Sequence, residues 1–174
     1  ATAGITATTC LHTCYGYAAY VSNKSTGYPF LDPLKDAPVD WVAIESAQPN
    51  LPGSTVARLA PKKVVLGVID LGRETVETAD EVAARIRAAL EHIAPEHLAV
   101  SPDCGMKYLP RERAKAKLRA MADGAAIVRA ELARGRAQHA TNVSPPPPGR
   151  APSGTALRIV HSRESPRRRS SVAA

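Results

Sequence analysis

Apolar, strand-like runs recur along this chain at intervals of about 30 residues, and this recurrence most constrains its fold. The runs end near Cys14, Glu45, Asp70 and Cys104, so successive ends lie 31, 25 and 34 residues apart. A strand, a helix and two loops need roughly 30 residues, which is the size of one βα unit. The runs are almost continuously apolar, as is typical of parallel strands covered by helices. The sequence therefore predicts an α/β fold with four βα units.

The strand ends carry a complete set of metal ligands. His12 and Cys14 are two residues apart, so both side chains point to the same side of a strand. Glu45 and Cys104 follow two later strands, and the carboxyl ends of parallel strands meet at one edge of the sheet. Two thiolates, an imidazole and an exchangeable carboxylate suit zinc. An isolated H-x-C pattern usually marks a core histidine beside a buried cysteine, but the shared position at strand ends favours a Zn²⁺ site.

Helical patterns fill the intervals between the strands. Thr78 and Glu81 form a capping box before an apolar stripe, which predicts a helix packed on the sheet. Pro110 fits the first turn of a long helix that is predicted to end near Arg134. Shorter helices are predicted within residues 30–37 and 54–60, and the basic residues of 111–119 are predicted to face solvent. The stripe of the long helix is predicted to comprise Leu118, Met121, Ala125, Val128 and Leu132.

Four segments of the chain resemble the cobalamin-independent methionine synthase family. They are HTCYG, IESAQPN, the spaced pattern GVIDL…VET…EVAARIRAAL, and PDCGMKYLPRERAKAKLRAMADGAAIVRAEL. The resemblance covers residues 5–134 and is most specific in PDCGMKYLPR together with H-x-C. It implies that this stretch is the C-terminal half of a (β/α)8 barrel.

The resemblance also implies a ligand set and a reaction. The family holds one zinc through a His, two Cys and a Glu, which fall on His12, Cys14, Glu45 and Cys104. Its metal activates the thiol of homocysteine for attack on the methyl group of a methyl-folate donor, 5-methyltetrahydropteroyl(tri)glutamate. Zinc coordination deprotonates a thiol yet leaves the sulfur nucleophilic. Asp70, at the end of the third strand, is the candidate catalytic residue beside this metal.

Two departures from the family pattern keep other functions open. The synthases carry a His two residues after the Asp that ends the penultimate strand, and Gly72 stands at that position here. Zinc–thiol chemistry on another electrophile, as in epoxyalkane:coenzyme M transferases, is therefore the first alternative. A complete barrel takes about 250 residues, whereas only four units are present. The second alternative is a non-catalytic zinc-binding fragment that works with a partner, and the open half-barrel predicts self-association.

Charge and composition change sharply near residue 134. Residues 1–133 contain 15 basic residues (Lys and Arg) and 15 acidic residues (Asp and Glu). Residues 134–174 contain eight Arg and one Glu, so this C-terminal segment carries the whole net charge of +7. Residues 135–174 are rich in Pro and Arg and are predicted to be a disordered basic tail after a domain of residues 1–134. A nucleic-acid partner is not expected, because a solvated tail is the commoner meaning of such a segment. No transmembrane run or signal pattern is present, and metal-binding cysteines favour the cytoplasm.

Other residues near the strand ends have weaker assignments. Asp103 and Tyr15 are the candidate substrate-binding residues, although a loop-organising role for Asp103 fits the sequence equally well. Cys10 is predicted to be a small buried hydrophobic residue and Trp41 a core residue. The histidines at 92 and 97 lie at the amino-terminal end of the last strand and are excluded as ligands, as are those at 139 and 161 in the tail. The remaining candidates for the pocket lining are Tyr17, Lys107 and Tyr108.

Overall fold

A four-stranded parallel sheet is the centre of the fold. The computed structural model of the protein describes residues 2, 4–21, 23–24 and 27–142. Within this part of the chain every strand pairs with its sequence neighbour, in the order β1-β2-β3-β4. Consecutive parallel strands without a change of direction are the arrangement of successive units in a (β/α)8 barrel. The strands are β1 (Cys10–Thr13), β2 (Trp41–Ile44), β3 (Lys63–Ile69) and β4 (Leu98–Pro102).

Helices occupy each connection between the strands. The α-helices are α1 (Leu31–Leu34), α2 (Ala79–Leu90) and α3 (Arg111–Asn142), with 3₁₀ helices at Gly53–Leu59 and Pro95–His97. The two predicted short helices are therefore present, one of them as a 3₁₀ helix. At the start of α2 the Thr78 hydroxyl accepts from the Glu81 N–H and the Glu81 carboxylate accepts from the Thr78 N–H, which confirms the capping box.

The long helix α3 differs from its prediction at its end. It continues to Asn142, beyond the predicted end at Arg134, so residues 135–142 belong to the helix. The rest of the predicted basic tail, residues 143–174, lies outside the described residues. Across the part of the chain that is described, no helix is both long and apolar enough to cross a membrane.

The buried face of α3 matches the predicted stripe at Met121, Ala125, Val128 and Leu132 and departs from it only at Leu118. Leu118 is 41 % exposed, whereas Lys117 is fully buried and Ala125 and Val128 belong to the core. The reason is a close approach of two helices at Gly124, where a Cβ atom would lie only 2.7 Å from the Ala79 carbonyl oxygen on α2. Small residues allow this contact, so the helix turns its small-residue face, and with it Lys117, toward the interior. The prediction that the basic residues of 111–119 all face solvent was wrong at this position.

The core lies between the sheet and the helices. On β3, Val64, Leu66 and Val68 are buried, and α2 packs on this strand with buried Val82 and Ile86. Each such side chain stabilises the fold by about 1.5–3 kcal/mol relative to its exposed state. This packing holds the strand ends in fixed positions relative to one another.

The first strand is less buried than predicted. Cys10 is exposed, because β1 is an edge strand of the sheet formed by the described residues and pairs only with β2. Trp41 is only half-buried, and the Lys63 ammonium lies 5.4 Å from the centre of its ring. The predictions of a buried Cys10 and a core Trp41 were therefore wrong, since both residues lie near the periphery of the sheet.

Candidate metal centre

Four side chains converge at the carboxyl ends of β1, β2 and β4. One ligand atom from each of His12, Cys14, Glu45 and Cys104 lies within 4.8 Å of the others. The two sulfur atoms are 3.3 Å apart, and Cys14 Sγ is 3.1 Å from Glu45 Oε1. Two thiolates on one tetrahedral zinc lie about 3.8 Å apart, given a Zn–S bond of about 2.3 Å. The donor set therefore fits a single zinc ion without a change of fold.

The turn after β1 brings Cys14 toward this cluster. Gly16 has a φ of +100°, a conformation that residues with a Cβ atom rarely adopt, and its N–H donates to Cys14 Sγ at 3.2 Å. A Cβ atom at this position would lie 2.9 Å from Val21. Glycine thus allows the tight turn and gives the sulfur a backbone hydrogen bond.

Electrostatics at the cluster favour a bound cation. Burial, together with the hydrogen bonds to Glu45 and Cys104 and the charge of Glu45, raises the pKa of the Cys14 thiol to about 12. A thiolate at this position is disfavoured because it would lie beside other anionic groups in a partly dehydrated site. A divalent cation among these donors would relieve that repulsion, which is a second reason why the residues fit zinc.

Glu45 is the most buried member of the cluster. Its side chain is fully buried directly after β2, and its carboxylate Oε2 lies 2.5 Å from the ammonium nitrogen of Lys24. Its backbone N–H donates to the Tyr28 hydroxyl at 2.9 Å. The Tyr15 ring stacks on Tyr28 with 4.4 Å between the ring centres. Tyr15 therefore supports the backbone position of a candidate ligand, and substrate binding by Tyr15 stays a prediction.

Asp103 organises the loop that follows Glu45. Its carboxylate is buried and accepts hydrogen bonds from three successive backbone N–H groups, those of Ser46, Ala47 and Gln48, at 2.7–3.1 Å. Burial raises the pKa of Asp103 to about 6, against the effect of these three donors. The side chain thereby connects the loop after β2 to the loop of Cys104. These contacts match the loop-organising alternative, and substrate binding by Asp103 stays a prediction.

Asp70 lies at the end of β3 but is not part of the four-residue cluster. Its carboxylate accepts from the backbone N–H groups of Gly72 at 2.7 Å and Arg73 at 3.2 Å, so it closes the turn after the strand. A Cβ atom at Gly72 would lie 3.0 Å from Nε2 of Gln48. Side chains larger than glycine at residue 72 would therefore displace the Gln48 carboxamide. A catalytic role for Asp70 stays a prediction.

Two side chains at the centre were missed by the sequence analysis. Lys24 contacts Glu45 although lysine is rarely buried, and only the tertiary structure reveals the pair. Gln48 carries a buried carboxamide oxygen without a hydrogen-bond partner among the described residues. The IESAQPN segment was a signal for the second residue, since Gln48 follows Glu45 in the same strand-end loop.

A cavity of about 210 Å³ borders the centre, between the loops that follow β1, β3 and β4. Tyr17, Gly72 and Tyr108 line it, and the Lys107 ammonium lies 4.8 Å from both tyrosine ring centres. A larger cavity of about 870 Å³ lies between α2 and α3 and contains none of the candidate ligands. Neither cavity is lined by a candidate ligand, but the smaller one is the better candidate for a substrate site because Gly105 in its lining directly follows Cys104. Two of the three predicted lining residues, Tyr17 and Tyr108, line this cavity, whereas Lys107 only contacts their rings.

Comparisons with known proteins agree with this geometry. The family model described as "Cobalamin-independent synthase, Catalytic domain" matches residues 2–127. A methionine synthase of Sulfolobus acidocaldarius is 36 % identical over 74 % of this chain and 35 % of its own length. One from Thermococcus kodakarensis is 38 % identical over 71 % of this chain and 34 % of its own. The chain spans about a third of the length of these two relatives.

A solved structure extends the comparison to the fold. A B12-independent methionine synthase from Shewanella sp. W3-18-1, in complex with selenomethionine, superposes with a TM-score of 0.71 and 31 % identity. The match covers 76 % of this chain and 42 % of that one. The sheet of sequential parallel strands is thus that of a (β/α)8 barrel, as predicted. The chain belongs to the cobalamin-independent methionine synthase catalytic-domain family.

Proposed function

We propose that the chain is the zinc- and thiol-binding part of a methyltransferase that transfers a methyl group from 5-methyltetrahydropteroyl(tri)glutamate to homocysteine, forming methionine. The convergence of His12, Cys14, Glu45 and Cys104 at one edge of the sheet is the observation that carries the proposal. Membership in the methionine synthase family supports it. Because the relatives are much longer, the donor contacts are expected from segments that this chain does not contain.

The residues of the chain have distinct roles in this proposal. Bound zinc would hold the substrate sulfur as a thiolate that remains nucleophilic. Cys14, Cys104 and His12 would supply the permanent donors to zinc, and Glu45 would supply the exchangeable carboxylate. Asp103 keeps the loop of Glu45 in place through its three backbone hydrogen bonds. We also propose a reducing compartment such as the cytoplasm, because the two sulfur atoms must stay unoxidised.

A second candidate function is thiol addition to another electrophile, as in the epoxyalkane:coenzyme M transferases. The observation that favours it is Gly72, which stands where the synthases carry a histidine. The Gln48 carboxamide packs against this glycine, so the space is already occupied by a different polar group. The arginines at 73 and 113 line the adjacent cavity and suit a thiol substrate that carries an anionic group such as a sulfonate.

A third candidate is a non-catalytic zinc-binding fragment that acts with a partner. Across the described residues β1 and β4 each have one unpaired edge, and such edges are templates for association with another chain. We therefore propose that the chain self-associates through the open side of its sheet.

Zinc analysis of the purified chain tests the metal site. The wild-type chain is expected to bind one zinc, and Cys104→Ser is expected to lose stoichiometric binding because it removes one of two sulfur donors. Cys10→Ser is the matched control, since Cys10 is exposed and outside the cluster. Full zinc retention in Cys104→Ser would contradict the site.

X-ray absorption on the zinc-loaded chain then separates the candidate reactions. Added homocysteine is expected to bring a third sulfur to the metal if methionine synthesis is the function. A third sulfur from coenzyme M, with none from homocysteine, would favour the epoxide-type alternative. No added sulfur from either thiol would favour the non-catalytic fragment.

A further inference from the structure

We propose that Lys24 is a positioning residue that makes Glu45 an exchangeable ligand, holding its carboxylate when a substrate thiol takes its place. This inference rests on the proposed zinc site. It concerns the exchange of Glu45 for the substrate thiol, a step to which the sequence analysis assigned no assisting residue.

The two oxygens of the Glu45 carboxylate have different partners. Oε1 lies 3.1 Å from Cys14 Sγ and faces the candidate metal centre, whereas Oε2 contacts Lys24 Nζ. The Glu45 side chain is 0 % exposed and that of Lys24 is 1 % exposed, so water does not compete for the pair. The carboxylate is thus positioned to bind a metal through one oxygen while the ammonium holds the other.

Formal charges explain why the lysine matters for exchange. Two thiolates and a carboxylate around a divalent cation leave one net negative charge, which Lys24 neutralises. A substrate thiolate adds a further negative charge to the site. With Lys24 present the assembly then carries one net negative charge, and without it two. Because Lys24 and Glu45 are buried together, water screens their charges only weakly, and Lys24 therefore favours thiolate binding.

The displaced carboxylate also needs a partner. Glu45 follows β2 directly, its backbone N–H donates to the Tyr28 hydroxyl and its side chain is fully buried, so the displaced carboxylate stays in a buried environment. A buried carboxylate that loses its only cationic partner is strongly destabilised. Lys24 supplies that partner in the displaced state. In the resting state it competes with the metal for the carboxylate and weakens this one metal–ligand bond.

The test compares Lys24→Met with Lys24→Arg and with the control Lys62→Met. Lys62 is another partly buried lysine, whose ammonium donates to the Val39 carbonyl at the amino-terminal end of the sheet. Zinc affinity is measured without thiol by competition with a chromophoric chelator. Homocysteine affinity is measured on the Co²⁺-substituted chain from the sulfur-to-cobalt charge-transfer absorption.

Lys24→Met is expected to bind zinc more tightly and homocysteine more weakly, the latter by about 10- to 100-fold. Lys24→Arg is expected to restore both affinities toward wild type, and Lys62→Met to change neither. In a Glu45→Gln background, Lys24→Met is expected to weaken homocysteine binding much less than in the wild type, because the displaced carboxylate that the ammonium would hold is gone and only its charge effect on the site remains.

Four results would overturn the inference. Unchanged affinities in Lys24→Met would show that the ammonium has no part in exchange, and parallel weakening of zinc and homocysteine binding would indicate structural damage instead. An undiminished effect in the Glu45→Gln background would show that Lys24 acts through another group. A wild-type chain without any zinc affinity would instead refute the metal site itself, and the role of Lys24 with it.

Discussion

The buried ammonium of Lys117 offers a quantitative test of how the loop after β3 is held. Its side chain is 0 % exposed, and Nζ donates to the carbonyl oxygens of Asp70 and Thr75 and to Glu77 Oε2, at 2.9–3.0 Å. The other oxygen of Glu77 accepts from the Asp70 N–H at 2.9 Å. Lys117 on α3 thus fixes the turn that carries Asp70 and Gly72 at the candidate site.

The substitution Lys117→Met keeps the length and apolar stem of the side chain but removes its charge and three donors. It leaves the fully buried Glu77 carboxylate without a cation, which destabilises a fold by about 3–5 kcal/mol. Domains of this size have unfolding free energies of about 5–15 kcal/mol, so the loss is a large fraction of the total. In urea it corresponds to a decrease in the midpoint of about 2 M.

The assay is urea denaturation followed by circular dichroism. Lys115→Met is the matched control, because Lys115 lies on the same helix and pairs with Glu112 where both side chains are exposed. Exposed pairs contribute about 0–1 kcal/mol, so the control is expected to unfold close to the wild-type midpoint. Equal midpoints for both variants would refute the argument that burial decides the strength of the Lys117 pair.

A double substitution separates the ion pair from packing. Glu77→Gln removes the buried negative charge, so Lys117→Met is expected to destabilise the Glu77→Gln chain much less than the wild type. Additive losses would mean that the effect of Lys117 does not pass through Glu77. In that case the two carbonyl contacts, and not the ion pair, would hold the turn.

Three further predictions concern other parts of the chain. Arg73 and the Thr78 cap lower the pKa of Glu81 to about 2, so this carboxylate is expected to stabilise the fold above pH 4.5 and to lose that contribution as the pH falls toward 2. The Arg73–Glu81 pair is partly exposed, so the contribution is small. In urea denaturation measured across this pH range, Glu81→Gln is expected to remove about 1 kcal/mol of the pH dependence of the unfolding free energy. Asp103→Asn is expected to destabilise the chain by about 2–3 kcal/mol, because one carboxylate oxygen that accepts from the loop becomes a donor; a denaturation midpoint equal to that of wild type would contradict this role. Sizing chromatography is expected to show dimers or larger species, and a monodisperse monomer would refute association through the open sheet.

Much of the candidate site was predictable because it depends on strand ends. Parallel strands bring their carboxyl ends to one edge, so the residues that follow β1, β2 and β4 had to lie near one another once the βα periodicity was recognised. Alternation along a strand placed His12 and Cys14 on the same side. The spacing of Glu45 and Cys104 in the sequence, 59 residues, did not matter, because the sheet brings them together.

Only the tertiary structure decided which charged side chains are buried. Lys24 and Lys117 carry no local sign of burial, and their partners Glu45 and Glu77 lie 21 and 40 residues away. The rotation of α3 about its own axis was likewise decided by a neighbouring helix. The contact of Gly124 with α2 turns Lys117 inward and leaves Leu118 exposed. Periodicity reports what a helix can bury, whereas the shape of the facing element determines what it does bury.

The sequence by itself thus determined the fold class and the ligand candidates, because strand periodicity and donor chemistry are local properties of the chain. The partners of Glu45 and the burial of Cys10 depend on which strand forms an edge and which loop folds over the site. Those features arise from contacts between segments that are distant in sequence. The interaction energies of these contacts become large only where water is excluded, and only the folded arrangement determines which groups lose their contact with water.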